Sequence, residues 1–193
     1  VESRGLGDVY KRQVLKLLAI AKRSGNTIEV RVHPTLIAND HPLSQVNGSF
    51  NAVYLHGHAC KEMMLQGRGA GDLPTASAVV GDILHAATVD VHVHPTFVNS
   101  ANADASLVFT NDWKTRYFLR LSIQDEPGSL AKIATWLSSE QVSIATMMQK
   151  AELAGSRVPL IIITHEANEQ AIRAALAKFD PEVCTVENMI RVE

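Results

Sequence analysis

The chain has 193 residues, 46% hydrophobic, 20% charged and 5% aromatic, with a formal net charge of −2. So even a balance, with so few rings, gives no electrostatic or stacking case for nucleic acid or an anionic membrane, and no apolar run approaches the roughly 20 residues that span a bilayer. The two cysteines, Cys60 and Cys184, lie far apart, which excludes a disulfide framework and fits a reducing cytoplasm.

Residues 1–13 (VESRGLGDVYKRQ) show neither helical nor strand periodicity and lack the apolar segment of a signal peptide, so they read as a ragged, unassigned start. Leu15 to Ala21 is apolar, and Ile28, Val30 and Val32 alternate after Lys22-Arg23-Ser24-Gly25-Asn26, which predicts two short strands about a Gly-Asn turn with Lys22-Arg23 as a solvated tip. Pro34 and Pro42 bracket an expected loop. Phe50 to Leu55 and Lys61 to Gln66 predict a second strand pair with His56-Gly57-His58 at its turn. A glycine-dense loop, Gly67-Arg68-Gly69-Ala70-Gly71, leads to a helix on which Ala76, Val79, Val80, Ile83, Leu84 and Ala87 form one apolar stripe. Pro74 suits its first position, where a missing N–H costs nothing.

From Thr88 to Arg116, Asn, Asp, Ser, Pro and Thr accumulate, the signature of a connection between two units. Tyr117, Leu119, Leu121 and Ile123 then alternate as a half-buried strand. Leu130, Ile133, Ala134 and Leu137 give a helical stripe. Val142, Ile144, Thr146 and Met148 alternate again, and the continuous run Val158 to Thr164 predicts a central strand. Ile172, Ala175, Leu176 and Phe179 form a second helical stripe before a strand through Val186, Ile190 and Val192. The order β-α-β-β-α-β is the ferredoxin-like arrangement, two helices on one face of an antiparallel sheet.

Two loops carry chemistry. In Gly67 to Pro74 (GRGAGDLP), absent Cβ atoms let backbone N–H groups approach a ligand, and the helix start adds a partial positive charge. An anion or nucleotide contact and a merely tight turn both fit, since the spacing is neither the dinucleotide fingerprint nor a P-loop. In Asp125-Glu126-Pro127-Gly128-Ser129-Leu130, Pro and Gly before a helix leave room for a ligand at its first amides. The alternations His56/His58/Cys60 and His92/His94 have no partner pair at zinc-site spacing, so they are expected as turn histidines with no metal. Met147 and Met148 are expected as core and edge.

The stretches Arg31-Val32-His33-Pro34-Thr35-Leu36-Ile37, His41-Pro42-Leu43, Asn51-Ala52-Val53 and GRGAGDLPTASAVVGDI (Gly67 to Ile83) strongly resemble homoserine dehydrogenases, collinearly from about Val14 to Ala87. The context YFLRLSIQDEPGSLAKIATWLSSEQVSIATMMQK resembles an ACT domain, covering Tyr117 to about Val192. The resemblance implies an α+β chain: residues 14–90 as the end of a catalytic domain with a mixed or antiparallel sheet remnant, 91–116 as linker, and 117–193 as a ferredoxin-like ACT regulatory domain. It implies Gly71 as the NADP (or NAD) contact with Gly69 and Ala70 beside it, and threonine held at Asp125, Gly128, Ser129 and Leu130.

By the same resemblance the Rossmann half, the catalytic Lys and the acidic substrate-binding residues belong upstream of Val14, so no catalytic residue is assigned here. Homoserine and aspartate semialdehyde are the implied substrates, and a homo-oligomer is expected. Two other readings stand beside the enzyme: a free-standing ACT-type amino-acid sensor, and a structural remnant without a ligand. The glycine block favours the enzyme, because a pure sensor needs no cofactor-facing loop.

Overall fold

A computed structural model describes residues 13–88, 106–149 and 157–193. The expectations for residues 1–12, for His92 and His94, and for most of the Thr88–Arg116 connection lie outside these residues. The chain divides into two compact units, one of residues 1–38 with 106–193, the other of residues 39–105.

The first unit is built on a mixed sheet. Strands β1 (Gln13–Ser24) and β2 (Thr27–Ala38) form an antiparallel hairpin in which Ser24 faces Thr27. Its two-residue turn needs a positive φ, and Gly25 supplies it at +59°. A short strand, β5 (Val108–Thr110), runs parallel to β2. The remaining elements are β6 (Lys114–Gln124), α2 (Ser129–Ser139), β7 (Ile144–Gln149), β8 (Arg157–Thr164), β9 (Ala167–Asn168), α3 (Glu169–Ala177) and β10 (Cys184–Val192). The sheet order is β1-β2-β10-β6-β8-β7, with β5 on β2 and β9 on β6. The β10-β6-β8-β7 half is wholly antiparallel, the sheet of a β-α-β-β-α-β chain, and β10 joins β2 in parallel.

The strand period decides where the core lies. On β6, Tyr117, Leu119, Leu121 and Ile123 point to one face, where they meet Leu160 and Ile162 of β8 and Ile133, Leu137, Ile172 and Ala175 of the helices. Each fully buried aliphatic side chain contributes about 1.5–3 kcal/mol. A smaller cluster, Phe118, Ile161, Ile163 and Val192, forms among residues of opposite parity. This explains why the run Val158 to Thr164 is apolar without alternation.

The second unit holds a 3-10 turn (Pro42–Gln45), the hairpin β3 (Phe50–Gly57) and β4 (Lys61–Arg68), and α1 (Asp72–Thr88). None of the α1 residues is buried, and Ile83 is 62% exposed. Among the described residues no helix is long and apolar enough to cross a membrane.

Two expectations change. First, β2 runs straight through Pro34, so the predicted loop begins only after Ala38. Pro34 has β1 on one side, but β5 pairs only with residues 27–29 and β10 only with 35–36, so its missing N–H costs no bond on the other side. Second, Pro74, expected at the first helical position, stands third in α1, two residues after its start at Asp72. The compact units divide the chain differently from the domain boundaries 14–90, 91–116 and 117–193 that the resemblance implies. The β1–β2 hairpin shares a sheet with the C-terminal strands, and the expected linker contains β5 and the start of β6.

Candidate functional site

The glycine loop hangs between β4 and α1. Arg68 lies over the Phe50 ring at 4.7 Å and donates to Ser49 Oγ at 2.9 Å, while the Gly69 N–H donates to the Ser49 carbonyl at 2.8 Å. These bonds fix where the chain leaves the hairpin. A Cβ on Gly69 would displace only the exposed Asn51 side chain. Gly71 has φ of +125°, a conformation side chains disfavour, and the first turn of α1 closes with the Thr75 N–H donating to the Gly71 carbonyl at 3.1 Å. Ala70, between them, is exposed.

The charge at this helix start bears on what it could hold. Asp72 stands in the first turn and Pro74 lacks an N–H, so the start offers fewer donors to an anion than a glycine loop alone suggests. His41, from the resemblance-bearing His41-Pro42-Leu43, accepts from the Leu43 N–H at 3.1 Å and tilts against Tyr54 at 4.9 Å, a turn-capping role.

The second loop enters α2. Gly128 is the N-cap residue, with φ of +96°, and its side chain position is open space, with nothing within 4 Å. The Ser129 N–H donates to the Glu126 carbonyl at 3.2 Å, and Gln149 Nε2 at the end of β7 donates to Asp125 Oδ1 at 3.0 Å. Ser129 is buried and Leu130 packs on the core, whereas Asp125 and Gly128 stay near the surface. The structure thus brings Asp125, the exposed Gly128 and the start of α2 to one place.

His56 is the last residue but one of β3, and His58 and Cys60 lie in the turn before β4. Among the described residues no group of three His, Cys, Asp or Glu side chains could hold a metal ion. Cys184 is buried, which pushes its thiol up to about 11, so it is not a nucleophile at neutral pH.

A polar cluster that the sequence analysis did not single out lies where β2, β10, α3 and the entry to β6 meet. On β2 the buried side chains are Arg31, His33, Thr35 and Ile37, while Val30 and Val32 are exposed, Val32 at 67%. Trp113 lies over Arg31 at 5.2 Å and stacks on His33 at 6.3 Å. Arg31 pairs with Glu193, and Glu169 accepts from Tyr117 Oη at 3.0 Å, from Arg173 and from Arg191. Burial by itself would raise the Glu169 carboxyl, but the hydrogen bonds and charge of Arg191, aided by Tyr117 and Arg173, hold it below its ordinary value. Asp112 caps α3 from outside, accepting from the Gln170 N–H at 3.0 Å and from Asn168 Nδ2 at 2.8 Å. The available signal was Arg31-Val32-His33 itself, two polar residues at strand spacing beside apolar ones.

Comparison with known proteins places these features. The family model described as homoserine dehydrogenase matches residues 9–84, which include the first hairpin and the glycine loop. A homoserine dehydrogenase of Neisseria gonorrhoeae is 37% identical over 187 residues, covering 93% of this chain and 43% of that protein. One from Pseudomonas aeruginosa is 39% identical over 173 residues, covering 86% of this chain and 40% of the relative. The crystal structure of a homoserine dehydrogenase from Thiobacillus denitrificans superposes with a TM-score of 0.78 at 37% identity, over 94% of this chain and 42% of that one. A Staphylococcus aureus homoserine dehydrogenase, at 23% identity and a TM-score of 0.55, shares the fold. This chain therefore belongs to the homoserine dehydrogenase family, and it spans about two fifths of the length of the curated relatives it matches.

Proposed function

We propose that this chain is the part of a homoserine dehydrogenase that closes the cofactor site and carries its regulation. The whole enzyme interconverts aspartate semialdehyde and homoserine with NADP or NAD in threonine and methionine biosynthesis. When bound, the dinucleotide supplies the hydride. Here Gly71, with Gly69 and Ala70 beside it, would lie against the nicotinamide end, in keeping with the acidic Asp72 and the scarcity of anion donors at that helix start. The proton-transferring Lys and the dinucleotide fingerprint are assigned to a segment outside this chain, so the chain by itself is inactive. The β-α-β-β-α-β segment is read as an ACT-type sensor, with threonine held at Asp125, Gly128, Ser129 and Leu130, in a cytoplasmic homo-oligomer.

The observation that carries the reading is the identity of 37% maintained over 93% of the chain, a span that includes both loops. The test is made on the purified chain in two arms. Turnover of homoserine with NADP should be absent, and measurable turnover would overturn the assignment of the catalytic residues. Isothermal titration should give heat with threonine and less with serine or methionine. A folded chain that binds none of the three would remove the regulatory reading.

A further inference from the structure

The β1–β2 hairpin is attached to the rest of its sheet by few backbone bonds. β10 meets β2 at only two register positions, Arg191 with Thr35 and Val192 with Leu36, extended by the Glu193 N–H donating to the Leu36 carbonyl at 3.0 Å. β5 adds three positions at the far end, Thr27 to Glu29. Side chains complete the joint: Leu36 packs with Val192, Arg31 pairs with Glu193, and the His33 ring stacks on Trp113 at the entry to β6.

His33 is buried, and its ring is partnered on one side alone. Nδ1 lies 3.2 Å from the Pro34 carbonyl, to which its N–H donates, and 3.0 Å from Thr35 Oγ1. Thr35 in turn donates to the His33 carbonyl at 3.2 Å, which leaves Nδ1 as the protonated nitrogen. Nε2 is buried with no hydrogen-bond partner among the described residues, and Trp113 Nε1 is likewise unpartnered. A neutral imidazole tolerates this as a bare lone pair stacked on the indole. A proton at Nε2 would create a charged donor with no acceptor, in a site shielded from water.

The surrounding charges sharpen the effect. The charges that act on this ring are Arg191 of β10, Arg31 of β2 and Glu169 of α3; around them Glu29 and Glu193 pair with Arg31, and Arg173 and Tyr117 bond to Glu169. The acids are already engaged: Glu169 by Arg191, Arg173 and Tyr117, Glu193 by Arg31 and Lys22. A third buried cation between Arg31 and Arg191 finds no free carboxylate. Burial, opposed by the Pro34 hydrogen bond and reinforced by Arg191 and Arg31, accordingly holds His33 below its ordinary value.

We propose that His33 is a pH-dependent latch: neutral, it keeps the β1–β2 hairpin docked on the β10 edge, and protonated at Nε2 it releases the hairpin while the helix-covered core stays folded. Among the described residues His33 is the one buried histidine, which sets the hairpin joint apart from the helix-covered core in this pH range. Histidine is the side chain whose unperturbed charge changes between about pH 5 and pH 8, so the latch works within a physiological range. It operates whatever ligand either loop binds.

Trp113 reports on the joint directly. The chain has two tryptophans, and the other, Trp136, tilts against Phe179 on α2, so Trp136→Phe leaves Trp113 as the only indole. Emission and acrylamide quenching of this variant are followed from about pH 7.5 to about pH 5 alongside far-UV circular dichroism. The expected result is a red shift with increased quenching, its midpoint below 6.5, at unchanged dichroism. His33→Gln and His33→Asn, uncharged at every pH, should abolish the shift. A shift that persists in those variants, or that appears only together with loss of dichroism, overturns the latch. Should neither variant fold, amide resonances of β1 and β2 in the Trp136→Phe protein decide the matter. His33 titrating without a concerted change across those strands also overturns it.

Discussion

Helices α1 and α2 carry the same kind of apolar stripe and end in opposite situations. On α2, Ile133 and Leu137 are 1% and 0% exposed, sealed beneath a sheet whose facing residues are also apolar. On α1, Val79, Val80, Ile83 and Leu84 are all more than half exposed among the described residues. An amphipathic pattern therefore states which face of a helix asks for cover. It does not state what provides it. The energetic content of the two regions differs accordingly, because only area removed from water stabilises.

That difference can be tested by substitution, beginning where most should be lost. Glu169→Gln removes the buried carboxylate that Arg191, Arg173 and Tyr117 share, leaving cations unpaired, and should cost about 3–5 kcal/mol by denaturant titration. The same variant should change the acid limb of stability. Because the folded Glu169 carboxyl lies below its ordinary value of 4.5, its contribution is complete above that pH and is lost as pH falls through the folded value. Glu169→Gln should flatten stability between those limits, and an unaltered slope would mean that the cluster is not what stabilises the region.

Leu121→Ala opens a cavity under both helices and should cost about 2–5 kcal/mol, read as a fall in the denaturant midpoint at constant slope. Ile83→Ala on α1 should change stability by less than about 0.5 kcal/mol in this chain. If Ile83→Ala costs as much as Leu121→Ala, the contrast between the two helices fails.

The β-α-β-β-α-β order was readable because each of its elements obeys one period cleanly. Tyr117 to Ile123 alternate, and Ile133 with Leu137 keep helical spacing, so the pattern and the packing agree. Pro34 misled because a proline ends a strand only where its missing N–H is needed, and pairing on that side depends on residues far away in sequence. The glycines show the same limit. Gly71 is explained by its positive φ without a ligand, a Cβ on Gly69 would displace only the exposed Asn51 side chain, and the cofactor reading rests on resemblance. The cluster at Arg31, His33 and Glu169 was hidden for a further reason: it is assembled from four elements, each contributing one or two polar residues that look like ordinary surface when read alone.

The parallel joint between β2 and β10 also bears on how the molecule acquires its fold. Thr35 finds its partner in Arg191, across most of the chain's length, whereas every contact inside the β1–β2 hairpin is local. Closing so large a loop is entropically costly and slow compared with hairpin formation. The hairpin therefore forms early and waits. While it waits, the unpaired edge of β2 presents bare backbone groups, and Leu17, Val30 and Val32 stay exposed on one face. Such a strand is a template for pairing with the wrong partner. Refolding yield should consequently fall as protein concentration rises, through association of hairpins that have not yet met β10.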